Sequence, residues 1–349
     1  MRALFCLILP SILTFGYGRP NFDDQKVLEN IIEQAVKLEA VKKADGTTQY
    51  FEPLELSPYK GSGWGVVYHD NQKVSRLLQF KDGKLGGLII AWFENGQKNI
   101  ETNFKNGLEE GLQKEWYDDG QIRSEGNFKD GKLDGLIIAW FENGQKLAEV
   151  NYKDGNLNGL GTTWYENGKK QEEINYKDGK TIGLVTNWYE SGQIKLEMNY
   201  KNGLKEGLAT GWYENGQKKE DQEFQNGKRV GLTTGWYESG KIKKEINYKD
   251  GKQNGLATEW YENGQKKAEM NFKDGKIVGL ATIWYENGKK NREINYKVGL
   301  FTSVNVWKPN GEKCPDTDIK DGNGVGFLYK QDGSKSGRLT IKNGKQVEE

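Results

Sequence analysis

Residues 164–188 read W-Y-E-N-G-K-K-Q-E-E-I-N-Y-K-D-G-K-T-I-G-L-V-T-N-W, and the stretch ends on the residue with which it began. The pattern recurs along the chain. Trp92, Trp116, Trp140, Trp164, Trp188, Trp212, Trp236, Trp260 and Trp284 stand 24 residues apart. Counted from each Trp, Gly stands at −5, Leu at −4, Tyr or Phe at +1, Gly at +4, Glu or Asp at +9, Tyr or Phe at +12 and Gly at +15. A fixed period of this size marks a repeat array, in which each unit buries its apolar surface on its neighbours. Tyr68 takes the Trp place one period earlier, with Phe80 and Gly83 in register. Trp307 and Tyr329 carry two shortened copies, with Gly311, Gly322, Gly333, Ile341 and Gly344 in their places. The array therefore holds about twelve units.

Within one unit the apolar residues alternate with period two: Leu, then Thr or Ile, then Trp before the first turn, and an aliphatic then Tyr or Phe after it. That is strand patterning. Asn-Gly and Asp-Gly separate the strands, the strongest short hairpin signal. The fold class is all-β: an elongated single-layer antiparallel β-meander of two-strand units. A two-residue Asn-Gly loop would pair Trp with +7 and send the +10 and +12 residues to the opposite face. A three-residue Glu-Asn-Gly loop with a left-handed Gly pairs Trp with +6 and gathers Leu, Trp, Ile and Tyr on one face. The second buries more apolar surface and is the expectation.

The termini read differently. Residues 1–18, MRALFCLILPSILTFGYG, have a basic start, a short apolar core and a Gly-x-Gly end. They read as a signal peptide cleaved near Gly18, so that the exported chain begins near Arg19 and is periplasmic, cell-surface or secreted. Cys6 leaves with that peptide, and Cys314 alone cannot form an internal disulfide. Residues 19–62 form an N-terminal helix and capping segment. Val27, Leu28, Ile31, Ile32, Ala35 and Leu38 recur at helical steps over 21–43, with Asn21 or Asp23 as cap. This helix is expected to cover the first strands, because the end of a stack is otherwise an open edge. The array occupies 63–345, and 346–349 are a tail.

The unit W-Y-E-N-G-Q-K-x-x-E-x-N-Y-K-D-G-K-x-x-G-L resembles the MORN repeat, in the variant form found in bacterial proteins of the YwqK family, named as antitoxins of toxin–antitoxin systems. The resemblance covers roughly 63–344. It implies a β-meander of hairpins and, through the family name, an antitoxin. The eukaryotic MORN repeat is one residue shorter and carries Y-x-G-x-W after its turn, where this chain has E-I-N-Y at 173–176. Lipid binding is therefore not carried over, and membrane binding is not supported.

The composition excludes several classes. Lys plus Arg is 51 against Asp plus Glu 50, interleaved, so no nucleic-acid face stands out. His69 is the single His and has no Ser or Cys near it in an elbow motif. No Cys/His cluster has zinc spacing. The run Asp316, Asp318, Asp321, Gly322 hints at a calcium loop, but Phe327 stands where the closing Glu belongs. No metal or cofactor is expected, and no enzyme. Glu101, Glu125, Glu149, Glu173, Glu197, Asp221, Glu245, Glu269 and Glu293 form an acidic ladder, and an active site is a singular place, so these read as charged neighbours on a solvated face. The aromatics after each Trp, Phe93, Tyr117, Phe141, Tyr165, Tyr189, Tyr213, Tyr237, Tyr261 and Tyr285, are the candidate interaction surface, against the plainer reading that they stiffen the sheet. What drifts between units is −3, −1 and +7/+8, and any specificity belongs there. The expected function is an exported protein-binding scaffold. A toxin-neutralising immunity protein and a carbohydrate- or envelope-binding module are the alternatives.

Overall fold

The structure is a computed structural model that describes residues 24–42, 48–51 and 60–347. The signal peptide expected at 1–18, the cap residues Asn21 and Asp23 and the last two residues of the expected tail, 348–349, lie outside the described residues, while 346 and 347 belong to a final strand, Lys345–Val347. The chain divides into two compact units, Met1–Gly168 and Lys169–Glu349.

In the first unit, the helix is shorter than its periodicity suggests. It spans Gln25–Gln34, and Asp24 is its cap, its side chain accepting from the Lys26 and Val27 amides. Ala35 is already extended, and Val36–Lys37 pairs in parallel with Gly65 and Val66. The strand Gly63–Tyr68 would otherwise show an open edge, and satisfying that edge outweighs continuing the helix. Ile31 packs under the helix with Val66, Leu77, Leu88, Ile90 and Trp92. Leu38, which the helical spacing would place beside Ile31, instead packs on the other side of the sheet with Leu78, Phe80 and Ile89. Glu39–Lys42 and Thr48–Phe51 form a separate hairpin.

Beyond this cap both units are antiparallel meanders, each strand pairing with the next. The Asp-Gly turns are two-residue hairpins: Lys249 pairs with Lys252, while Asp250 and Gly251 take φ of 51° and 81°. Two successive positive φ values define the type I′ turn whose twist matches the strands. Each such turn is tied to its neighbour one unit back, as in Gly227 N–H to Lys205 O and Gly251 N–H to Arg229 O, both 2.9 Å.

The other turn is the expected three-residue loop. Gly216 N–H donates to Tyr213 O, Tyr213 N–H to Gln217 O, and Trp212 pairs with Lys218. The facing expected from that turn is nevertheless overturned. The register slips one residue past the loop, so that Gly211 pairs with Glu220, leaving Lys219 in a bulge. A one-residue slip exchanges the faces of everything beyond it. Leu208 and Trp212 therefore share a face with Asp221 and Glu223. Ala209 shares the opposite face with Gln222, and Gly207 pairs with Phe224 there. This is the facing of the two-residue alternative, reached by a second bulge. The Gly at −5 opens a further irregularity, with φ of 66° at Gly231, that skips two residues and so preserves the faces.

The consequence is a Trp face and a Tyr face. Leu at −4 lies on the Trp face and is exposed from Leu112 to Leu280, reaching 54% at Leu208, whereas Leu88 under the helix is 4% exposed. Among the described residues, large cores occur only where the ends are covered. At the C-terminal end Tyr285, Ile294, Val306, Ile319, Tyr329, Leu339 and Ile341 close the array from the Tyr face, with Cys314 buried among them.

Candidate interaction face

The aromatic after each Trp has a bond built into its place. The Tyr117, Tyr189, Tyr213, Tyr237 and Tyr261 hydroxyls donate to the carbonyl oxygens of Trp140, Trp212, Trp236, Trp260 and Trp284, at 2.7–3.0 Å. Tyr285 continues the series to Trp307 O at 2.8 Å and is itself buried. Phe93, Phe141 and Tyr165 occupy the same place and are half-buried. Each such bond contributes about 1 kcal/mol and ties one unit to the next. Burial, and then the carboxylates of Glu214 and Glu238, raise the Tyr189 phenol above its ordinary range; burial and then Glu262 do the same to Tyr237. Both remain donors throughout the neutral range.

His69 belongs to this series. It follows Tyr68 as Tyr follows Trp, and its Nε2 lies 3.0 Å from Trp92 O, a partner that can only accept. The ring nitrogen is therefore the donor, in the place of a phenol. Asn at +3 has an equivalent role at the turn: Asn215 Oδ1 accepts from Gln217 N–H, and its Nδ2 donates to Glu238 O in the next unit.

On the Trp face the acidic ladder is occupied as well. Lys218 lies 2.7 Å from Asp221 and 5.6 Å from the Trp236 ring centroid; Lys146 repeats this with Glu149 and Trp164, and Lys266 with Glu269 and Trp284. These pairs are partly exposed, and each contributes at most about 1 kcal/mol. Among the described residues no group of His, Cys, Asp and Glu is arranged to hold a metal ion.

The positions that drift between units converge on the Tyr face, and in the second unit they line a groove of about 530 Å³. Its floor is Met198, Ala209 and Phe224, a buried cluster with Leu196 and Tyr200 against it. Gly211 and Gly235 stand at −1, where a side chain would otherwise project. A Cβ on Gly211 would meet no atom closer than 3.8 Å, so the space above it is open. Lys195, Lys219 and Lys243, the bulge residues at +7, stand over the Tyr189, Tyr213 and Tyr237 rings at 5.3–5.5 Å. Lys205 stands over Phe224 at 5.1 Å and Arg229 over Tyr248 at 5.5 Å.

The sequence located the drift at −3, −1 and +7/+8 but not the basic residues Lys205 and Arg229. They stand at +17, where the other Trp units carry Glu109, Leu133, Leu157, Thr181, Gln253, Ile277 and Phe301, and that substitution was the available signal. Which face the +7 residues occupy depends on the bulge, and no residue type announces it.

The repeat itself matches a family model, the MORN repeat variant, nine times: residues 85–106, 109–130, 133–154, 157–178, 182–202, 205–226, 229–250, 253–274 and 277–297. These segments make up more than half of the chain. The chain belongs to the MORN repeat variant family. In this MORN repeat variant protein the model's segments run from the first strand after one Asp-Gly turn to the next such turn, so each is one hairpin around a Glu-Asn-Gly loop. No curated protein matches the chain. Among solved structures it is similar to a crystal structure of TcdB2-TccC3-Cdc42, at 9% identity over 88% of this chain and 19% of that one, with a TM-score of 0.18. A crystal structure of TcdB2-TccC3 gives 10% identity, 88%, 20% and 0.18 in the same order. A Photorhabdus luminescens Tc holotoxin pore gives 10%, 89%, 17% and 0.17. The chain thus spans about a fifth of the length of these proteins' chains.

Proposed function

We propose that this protein is a non-enzymatic binding scaffold that recognises a partner protein through the Tyr face of its second unit. The MORN repeat is a non-catalytic repeat type commonly used for interaction, and it makes up most of the array. The observation that carries the reading is the division of labour between positions. Trp, Tyr and Asn are committed to bonds between units and the acidic ladder to Lys pairs within them, whereas −3, −1 and +7 differ from unit to unit and line one open groove. A frame that repeats while its groove varies is how an array acquires a specific surface. The Tyr hydroxyls contribute by fixing the rings on which the groove lysines rest, and their ring edges remain as contact area. The reading includes export, supported by the composition of residues 1–18; N-terminal sequencing of the protein from its own host tests that part.

The binding test uses a photo-cross-linking amino acid at Lys219 on the Tyr face, or at Lys170 on the Trp face, in the full chain exposed to its native envelope fraction. A discrete adduct from Lys219, absent from Lys170 and lost in the Gly211→Leu variant, is expected. Gly211 has no positive φ and has open space, so that variant fills the groove without straining the backbone. An adduct formed equally from both faces, or retained by Gly211→Leu, overturns the assignment. A toxin in the adduct would make the scaffold an immunity protein.

A further inference from the structure

The groove residues also state a charge. Six cations line it, Lys195, Lys205, Lys219, Arg229, Lys243 and Lys244, against the single carboxylate of Glu220. Glu220 is already engaged, 2.6 Å from Lys244 Nζ. Among the described residues the other five cations have no carboxylate within ion-pair distance. The neighbouring unit shows why. There the +7 lysine, Lys267, lies 3.5 Å from Glu259, the residue at −1. Around the groove −1 is Asn187, Gly211 and Gly235. Without an acid at −1 the bulge lysine is left unneutralised, and Gly there opens the floor beside it. The adjoining turns follow the same trend: Asn202 and Asn226 stand where most units carry Asp.

The cations form two rows. Lys195, Lys219 and Lys243 run along the end of the strands near the Glu-Asn-Gly loops, and Lys205 and Arg229 along the end near the Lys-Asn-Gly and Gln-Asn-Gly turns. Between them lies the apolar floor of Met198, Ala209 and Phe224. Each row repeats every two strands, about 10 Å.

We propose that the groove binds an acidic segment of the partner protein, with Asp or Glu side chains meeting the two cationic rows and apolar side chains between them on the floor. This rests on the protein-binding reading above and names the chemistry of what is bound. Spacing of about 10 Å is close to the roughly 9 Å between every third residue of a polyproline-II-like chain, in which those residues return to the same side. Three features select this occupant over other polyanions. The aromatic rings are covered by ammonium groups, so they offer no free face on which nucleic-acid bases could stack. A sulfated polysaccharide has no apolar group for the floor. A bilayer surface would meet the outer cations but not Ala209 between them.

The test measures binding of fluorescein-labelled twelve-residue peptides to the full-length protein. One repeats Glu-Leu-Glu, and the others repeat Gln-Leu-Gln, Lys-Leu-Lys and Glu-Gly-Glu. A single-stranded DNA twelve-mer, a heparin oligosaccharide and phosphatidylserine vesicles serve as competing polyanions. The Glu-Leu-Glu peptide should bind best, weaken with salt, and weaken about tenfold or more in a Lys195→Gln/Lys219→Gln/Lys243→Gln variant. A Lys170→Gln/Lys266→Gln variant on the Trp face should bind as the wild type does, which separates the rows from net charge. Stronger binding of DNA, heparin or vesicles, or no loss in the triple variant, overturns the proposal. Failure of every peptide, with the Lys219 cross-link to a native partner intact, would reject the acidic segment and leave the scaffold reading standing.

Discussion

Leu88 and Leu208 occupy the same place in the repeat, four residues before a Trp, and should respond oppositely to truncation. Leu88 is 4% exposed, held among Ile31, Leu77, Ile90 and Trp92 beneath the N-terminal helix, while Leu208 is 54% exposed on the uncovered Trp face. Leu88→Ala removes a fully buried side chain and leaves a cavity under the helix, at a cost of about 2–5 kcal/mol. Leu208→Ala gives up less than half of a leucine's burial and leaves no cavity, so it should cost about 1 kcal/mol or less. Repeat arrays open piecemeal, so a single melting temperature is a poor measure. Hydrogen exchange followed strand by strand is the assay. Leu88→Ala should lose protection in Gly63–Tyr68 and Lys84–Trp92 and leave the second unit unchanged. Leu208→Ala should leave Leu204–Trp212 close to wild type. Equal losses at the two sites would refute the face assignment, because the expectation rests on the bulge placing both leucines on the Trp face and on the helix covering only the first of them.

Other expectations follow from the bonds between units. His69→Ala should destabilise the first unit by about 1 kcal/mol, through loss of the bond to Trp92 O, and should leave partner binding intact; chemical denaturation and the cross-linking assay check the two parts. Asn215→Ala loses both the Gln217 and Glu238 bonds and should cost about 1–2 kcal/mol, with Asn215→Asp intermediate because it keeps the first; exchange at the 213–217 turn reports this. The Tyr189, Tyr237 and Tyr261 phenols are raised above 10.0 in the folded chain. A raised folded value favours the protonated fold, so this stability is present in full below about pH 10 and is lost as pH climbs through the raised values. Tyrosinate absorbance should appear later in the folded than in the urea-unfolded protein, and Tyr→Phe at the three positions should reduce the number of late-titrating phenols and leave those of Tyr285, Tyr296 and Tyr329, which are raised as well. Deleting residues 183–206 should be tolerated better than deleting any 12 of them, since Gly227 N–H then meets Thr181 O as Gly203 does now; comparing the denaturation midpoints of the two deletions decides it.

Much of the architecture is determined locally and was legible in the residues. The period of the Trp fixes the unit. Asp250-Gly251 and its equivalents can hardly avoid a two-residue hairpin, because both residues tolerate the left-handed region, and the Glu-Asn-Gly loop was identified down to its pairing of Trp with +6. What only the tertiary structure decided is what comes of small slips. The bulge at Lys219 and its equivalents carries no signature residue, yet it moves Tyr, Met198 and the drifting positions to the face opposite Leu and Trp. The helix ends at Gln34 because the edge of Gly63–Tyr68 is unpaired, a fact distant in sequence from the periodicity of Leu38. His69 read as a lone histidine until a carbonyl 23 residues away supplied its partner. Lys195, Lys205, Lys219 and Arg229 were scattered letters in a chain of balanced charge. They become a cationic groove because strand pairing brings residues 10 to 24 apart onto one face, and because Gly211 and Gly235 carry no side chain there to answer them. Turn chemistry is written in adjacent residues and can be read one unit at a time. The parity of a face and the balance of charge upon it are sums over neighbouring strands, and exist only once the strands are paired.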